Sequence, residues 1–242
     1  MAFLFLATFF LALQQLSLFL ITWDRLNVTE IDIVCGKSEI TEEVRDVLSR
    51  KNFGNILLLD IGRLQDALTD HRWIKKVRVK KIFPSSLRIE IEERIPEALV
   101  KKENFYLIDR DNVELEKVDP QSKPELPLLI DKNYFRQNYD QKMDLAWRCL
   151  EELSPEEREK IEILDLSEYE NLSLKLKESG TWLILGNDRF AEKLRLHQKN
   201  RARLQKYGTL EYVDFRFQDR MIIKPLQKQG RDHDNISQKE EN

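Results

Sequence analysis

The side chains that most often do chemistry are few in this sequence, and they are scattered. His71, His197 and His233 stand alone, with no H-x-H or H-E-x-x-H pairing to set two imidazoles around a zinc ion. Cys35 and Cys149 form no C-x-x-C and fall in segments expected to belong to different domains, so neither a metal ribbon nor a disulfide is expected. No G-x-S-x-G, no S-x-x-K set and no Walker sequence supplies a nucleophile or a phosphate loop. Carboxylates are so plentiful that any pair could be named as acid and base, which empties the nomination of meaning. No catalytic residue, metal ligand or cofactor site is assigned, and the chain is read as a non-enzyme without a small-molecule substrate.

Charge is distributed in a way that matters more. The 242 residues carry 40 Lys and Arg against 43 Asp and Glu, a formal net charge of −3. This near balance argues against a nucleic-acid partner, whose phosphates call for a basic excess or stripe. Every one of these charges lies beyond residue 23. One apolar segment therefore precedes a highly charged body, which excludes a multi-span transporter.

That segment, Ala2 to Thr22, covers about 30 Å as a helix, the thickness of a bilayer core. Gln14 and Gln15 weaken it less than a charge would, and Trp23 comes next, where an amphipathic ring suits the headgroups. The run is longer than a signal-peptide core and has no basic flank or small-x-small cleavage site, so an uncleaved anchor through residues 2–22 is expected. Orientation stays open on charge alone, because Asp24 and Arg25 cancel.

The elements of the body can be read from periodicity. Residues 28–34 alternate as a strand, and Thr41-Glu42-Glu43 opens a helix with Val44, Val47 and Leu48 on one stripe. Asp60 can cap a second helix bearing Leu64, Ala67 and Leu68. Val77-Arg78-Val79-Lys80 and Leu87-Arg88-Ile89-Glu90-Ile91 flank Phe83-Pro84-Ser85-Ser86, which predicts a hairpin. Its buried face holds Val77, Val79, Leu87, Ile89 and Ile91, with Arg78 and Lys80 facing Glu90 and Glu92 on the wet side.

Beyond Ile95-Pro96 strands are expected around 98–100, 106–108, 128–130, 161–163, 172–176 and 182–185. Asp109 to Asn112 reads as a turn. A helix carries Met143, Ala146, Trp147 and Leu150, and Ser154-Pro155-Glu156-Glu157 reads as a capping box. Asp188 is expected to cap a charged helix from Arg189 to Leu204. Two strand-like runs, Leu210–Phe217 and Met221–Pro225, close the ordered part, and the polar stretch 227–242 is expected to be disordered. The fold class is α+β: an anchor (1–23), a small β-α-α-β-β domain (24–95), a larger β-rich domain with helices on one side (96–226), and the tail.

Several of these segments together resemble one family. Trp73-Ile74-Lys75-Lys76-Val77, then Phe83-Pro84-Ser85-Ser86-Leu87, then Glu92-Glu93-Arg94-Ile95-Pro96 is similar to the POTRA module of the FtsQ/DivIB bacterial cell-division proteins. Tyr106 to Asp109 is similar to the family's D-x-x-G element, although Val113 stands where the family has Gly. Tyr212-Val213-Asp214-Phe215-Arg216-Phe217 and Met221 to Pro225 resemble its closing strands. The family's basic cytoplasmic N-terminal tail has no counterpart ahead of the apolar segment.

The resemblance implies a single-pass protein of the bacterial cytoplasmic membrane with its body outside the cytoplasm, acting at the division septum. It implies a non-catalytic divisome scaffold that binds FtsB and FtsL, with the small module helping recruitment. The expected partner surface is the last strand and the residues just after it: Tyr212, Val213, Asp214, Phe215, Arg216 and Phe217, with Arg195 as a rim charge. Periodicity alone expects Val213, Phe215 and Phe217 inside and Tyr212, Asp214 and Arg216 in water. Two other readings stand beside it. A POTRA-bearing accessory for extended polypeptides would need a β-barrel, for which too few residues remain after position 96. A membrane-anchored cell-wall enzyme would need the constellations that are missing.

Overall fold

The computed structural model of the chain describes residues 2–217 and 220–226; the stretch expected to be a disordered tail lies outside them. Helix α1, Ala2–Thr22, contains one window, Phe3–Thr22, long and apolar enough to cross a bilayer, and none of that window is buried. The chain divides into two compact units, one formed by Met1–Pro96 with Ile108–Glu116, the other by Glu97–Leu107 with the residues from Lys117 onward.

In the first unit, β1 (Glu30–Val34), α2 (Ser38–Ser49), α3 (Ile61–Thr69), β2 (Ile74–Ile82) and β3 (Ser86–Glu93) come in that order. The three strands form a sheet in the order β1-β3-β2, with β3 parallel to β1 and antiparallel to β2. The hairpin forms because both runs alternate strictly: Val77, Val79, Leu87 and Ile89 are buried together with Val44, Leu48, Leu64 and Leu68 from the helices, and Ile91 packs half-buried at the margin. Burial of each such side chain stabilises by about 1.5–3 kcal/mol.

Local chemistry sets the ends. Asp60 caps α3 by accepting the Arg63 backbone N–H at 3.2 Å. Helix α2 starts three residues before the expected Thr41, and Thr41 instead returns its hydroxyl to the Lys37 carbonyl. On the wet face Lys80 pairs with Glu90, but the register sets Arg78 opposite Glu90 and Lys76, not Arg78, opposite Glu92.

The remaining strands are β4 (Pro96–Lys101), β5 (Phe105–Asp109), β6 (Glu114–Val118), β7 (Leu128–Ile130), β8 (Ile161–Glu168), β9 (Asn171–Leu176), β10 (Trp182–Gly186), β11 (Leu210–Asp214) and β12 (Ile222–Pro225). They form a sheet in the order β12-β11-β10-β9-β8-β7-β4-β5-β6. Helices α4 (Tyr139–Glu152), α5 (Pro155–Glu159) and α6 (Phe190–Leu204) belong to the second unit, where α4 packs on β8 and α6. The stripe Met143, Ala146, Trp147 and Leu150 is buried, and Ser154 and Glu157 complete both halves of the capping box. Lys142 is also buried on α4, where its ammonium meets the Asp131 carboxylate at 2.8 Å. Cys35 and Cys149 are free, and burial pushes the Cys149 thiol pKa far up.

Candidate functional site

The expected closing strand, Leu210–Phe217, is shorter than its alternation suggested. β11 stops at Asp214, and Phe215, Arg216 and Phe217 continue as irregular chain. One side of β11 runs parallel to β10, with Leu183 beside Val213, and the Phe215 N–H adds a bond to the Ile184 carbonyl at 2.9 Å. The other side pairs antiparallel with β12, Val213 opposite Ile223 and Tyr212 opposite Lys224. An irregularity between Leu210 and Tyr212 breaks the strict period of two. It lets Leu210 turn inward with Val213 and Phe215, while Glu211 stays out to pair with Lys224 at 2.9 Å.

The sheet edge is therefore β12, not β11. The Leu226 N–H bonds the Thr209 carbonyl at 2.8 Å, and alternation along an antiparallel ladder then turns Lys224 and Ile222 toward β11. Ile223 and Pro225 are left with their main chains outward. Pro225 has no N–H, which blunts one end of the edge, so Ile223 supplies the outward donor of this strand.

Just past β11 the chain is held by a charged clamp. Asp214, expected in water, is buried, and Arg216 grips it in a fork: Nε at 3.0 Å from Oδ1, Nη2 at 2.6 Å from Oδ2, and the backbone N–H at 3.0 Å from Oδ1. Burial pushes the Asp214 carboxyl up, but the guanidinium and that N–H outweigh it, so its pKa lies below the usual carboxylate value. The same pairing, against a smaller burial effect, raises the pKa of Arg216, whose side chain remains 45% exposed. Gly186 adopts φ +78, a backbone conformation that any side chain would strain, and a Cβ there would stand 3.5 Å from Arg216 Cγ.

Asp188 does not cap α6. Arg189 occupies that position at φ 50 and its side chain makes no capping bond. Instead the buried Lys193 ammonium gathers the turn, donating to the Leu185 carbonyl at 2.6 Å, the Asp188 carbonyl at 2.8 Å and the Asp188 carboxylate at 2.7 Å. Lys193 foremost, after it Arg189, holds the Asp188 pKa low. A buried lysine inside a helical run of charges is invisible to periodicity, so the nearer Asp took the role of cap in the sequence reading.

Arg195 is exposed on α6, whose inward positions are Phe190, Ala191, Leu194 and Leu204. Phe217, expected inside, is 48% exposed. It lines a groove of about 320 Å³ with Leu196, Asn200, Phe215 and Met221. His197 is half-buried edge-on against Phe215 at 6.3 Å, and burial, aided by Arg201, keeps its pKa low. Among the described residues no group of three His, Cys, Asp or Glu could hold a metal ion. Of the sequence-assigned residues, Tyr212 to Phe217 form one continuous stretch, while the outward main chain belongs to Ile223. The signal for it was present: two strand-like runs with a short connection read as a hairpin whose later strand lies outermost.

Comparison with known proteins agrees along the chain. Residues 26–94 match the model of the POTRA domain, FtsQ-type, and residues 98–216 match that of the cell division protein FtsQ/DivIB C-terminal region. A protein of Syntrophotalea carbinolica called cell division protein FtsQ is 25% identical over 179 residues, 70% of this chain and 64% of that protein. Another of that name from Zymomonas mobilis is 29% identical over 105 residues, 43% of this chain and 33% of its own. A third, from Geobacter sp. strain M21, is 23% identical over 210 residues, 83% and 77% of the two chains. The two family models, met in order and covering most of the sequence, place the chain in the FtsQ/DivIB family of cell-division proteins.

Proposed function

We propose that the chain is a membrane-anchored, non-catalytic scaffold of the bacterial divisome that binds FtsB and FtsL. In this reading residues 2–22 span the cytoplasmic membrane once, the body lies outside the cytoplasm at the septum, and the POTRA-type module helps recruitment. The observation that carries it is the position of β12, which among the described residues is the outermost strand on one side of the nine-stranded sheet. An extended partner segment can add a strand there, taking the Ile223 N–H, while side chains on and after β11 supply selectivity. Tyr212, Arg216 and Phe217 are the side chains offered beside that edge, with Arg195 at the rim. Val213, Asp214 and Phe215 hold the strand in place. The test is the affinity of the soluble domain for a soluble FtsB segment. Ile223→Pro, folded by circular dichroism, should lose binding; unchanged affinity would move the site elsewhere.

A further inference from the structure

The junction between α1 and the first unit is hydrogen-bonded rather than a free linker. The Asn55 amide donates to the Leu20 and Ile21 carbonyls at 2.8 and 2.9 Å, satisfying two acceptors that the helix end leaves open. Leu20 itself packs against the core of that unit. The residues leaving the helix are then flanked by two loops: Ile56 N–H bonds the Leu26 carbonyl at 2.7 Å, and Thr29 N–H bonds the Ser85 carbonyl at 2.9 Å. Both the 54–58 loop and the β2–β3 turn therefore lie at the helix end.

Four of the apolar side chains that the module leaves in water fall on or beside these two loops, while Val34, Val47 and Ile95 are exposed singly elsewhere. Leu57, Leu58, Ile82 and Phe83 are all exposed, Leu58 at 64% and Phe83 at 58%, and Trp23 is exposed just past the end of the helix. The Lys81 ammonium bonds the Leu57 carbonyl at 3.2 Å, which ties the two loops together and sets a positive charge between them, with Arg25 exposed nearby. A soluble surface has no use for four clustered apolar side chains, whereas the interfacial layer accepts them at low cost.

We propose that this end of the POTRA-type module is a membrane-contact surface, with Leu57, Leu58, Ile82 and Phe83 seated in the interfacial layer of the bilayer that α1 spans. The proposal rests on the reading of α1 as a membrane span, and the direct bonds from Asn55 to the helix end hold the module against the lipid surface.

The experiment uses the full chain carrying Cys35→Ser, reconstituted in phosphatidylethanolamine/phosphatidylglycerol vesicles. Single environment-sensitive probes are attached at Leu58→Cys, Phe83→Cys, Ile95→Cys and Phe10→Cys. Ile95 is exposed at the opposite end of the hairpin, some 25 Å from the β2–β3 turn at about 3.3 Å per residue. Headgroup-level spin-labelled lipid should quench the probes at 58 and 83 several-fold more than the one at 95, and acyl-chain spin label should quench the one at 10. If position 10 is quenched but 58 and 83 remain as wet as 95, the contact surface is refuted and the span stands. If 58 and 83 are dry but not lipid-quenched, a protein covers them and the proposal fails. If position 10 escapes quenching, the span itself is wrong and the proposal falls with it.

Discussion

Arg94 donates Nη1 to the buried carboxylate of Asp109 and, at 2.9 Å, to that of Asp111, while its own backbone N–H bonds the Trp73 carbonyl at 2.8 Å. Three segments distant in the sequence thus meet at one residue, Trp73 through the Arg94 main chain and the 109–111 turn through its guanidinium. Asp109 in turn accepts the backbone N–H groups of Asp111 and Val113, at 3.0 and 2.8 Å, and shapes the turn in which Asn112 takes φ 64. Counted from Asp109, the glycine of the D-x-x-G pattern falls on Asn112 and not on the expected Val113, and Asn112 adopts the positive φ that a glycine would meet there.

Replacing Arg94 should therefore cost more than a surface pair would. Both side chains are largely out of water, 16% and 4% exposed, and truncating one partner leaves a buried charge short of its counter-ion. Arg94→Ala is expected to lower stability by about 3 kcal/mol in urea denaturation, and Arg94→Lys to recover only part of it, because an ammonium is more strongly hydrated than a guanidinium and costs more to bury. A loss within about 0.5 kcal/mol, the range of ordinary surface changes, would show that the network is ornamental to the fold.

Leu87 tests the hairpin register. It is fully buried, opposite Ile31 on β1 and Lys81 on β2. Leu87→Asp places a carboxylate in the core of the first unit, and that unit should lose its cooperative melt, since an unpaired buried charge costs several kcal/mol or takes up a proton. Arg88→Asp, one residue on and exposed beside Asp32, should retain the melt. Equal behaviour of the two variants would overturn the assignment of faces.

Acid should weaken the second unit through Asp214. Its folded-state pKa lies below the unfolded value, so the folded state is favoured by ionisation. That stability is complete above the unfolded value, about 3.9, and is lost as pH falls through the lowered folded value. Asp214→Asn should cost about 1–3 kcal/mol at neutral pH, where the charge-assisted bonds are made, and should show a smaller further loss between pH 5 and pH 2 than the wild type. An identical pH dependence in both proteins would exclude Asp214 as a contributor.

The two hairpin runs, the α4 stripe, the capping box and the Asp60 cap were legible because each depends on residues within a turn or a strand of one another. The order of strands in the large sheet was not, because β11 lies parallel to β10 across the α6 crossover and its place inside the sheet is decided by β12, a short run with little alternation. The candidate site was legible as a stretch and not as an edge. Asp214 and Lys193 broke the pattern for one reason: each is a charged residue buried against a counter-charge, and hydropathy assigns such residues to water.

Arg216 poses the sharpest question at the proposed partner surface, because it already has work inside the fold. If it contacts the partner through its exposed edge, Arg216→Ala should weaken binding of the FtsB segment, but the same change also strips Asp214 of its counter-ion. The double variant Arg216→Ala/Asp214→Asn separates the two roles. Its neutral amide no longer needs the guanidinium, so it should recover much of the stability lost in the single variant, the pattern expected of a coupled pair. Binding should stay as weak in the double variant as in the single one if Arg216 is a partner contact, and should return with stability if its role is to hold the clamp. Ile223→Pro supplies the reference: Ile223 turns its N–H away from β11, so losing that donor removes a bond to the partner strand and leaves the Asp214–Arg216 pair untouched. Isothermal titration of the three variants, each checked by its melt, decides between a side-chain contact and a purely main-chain edge.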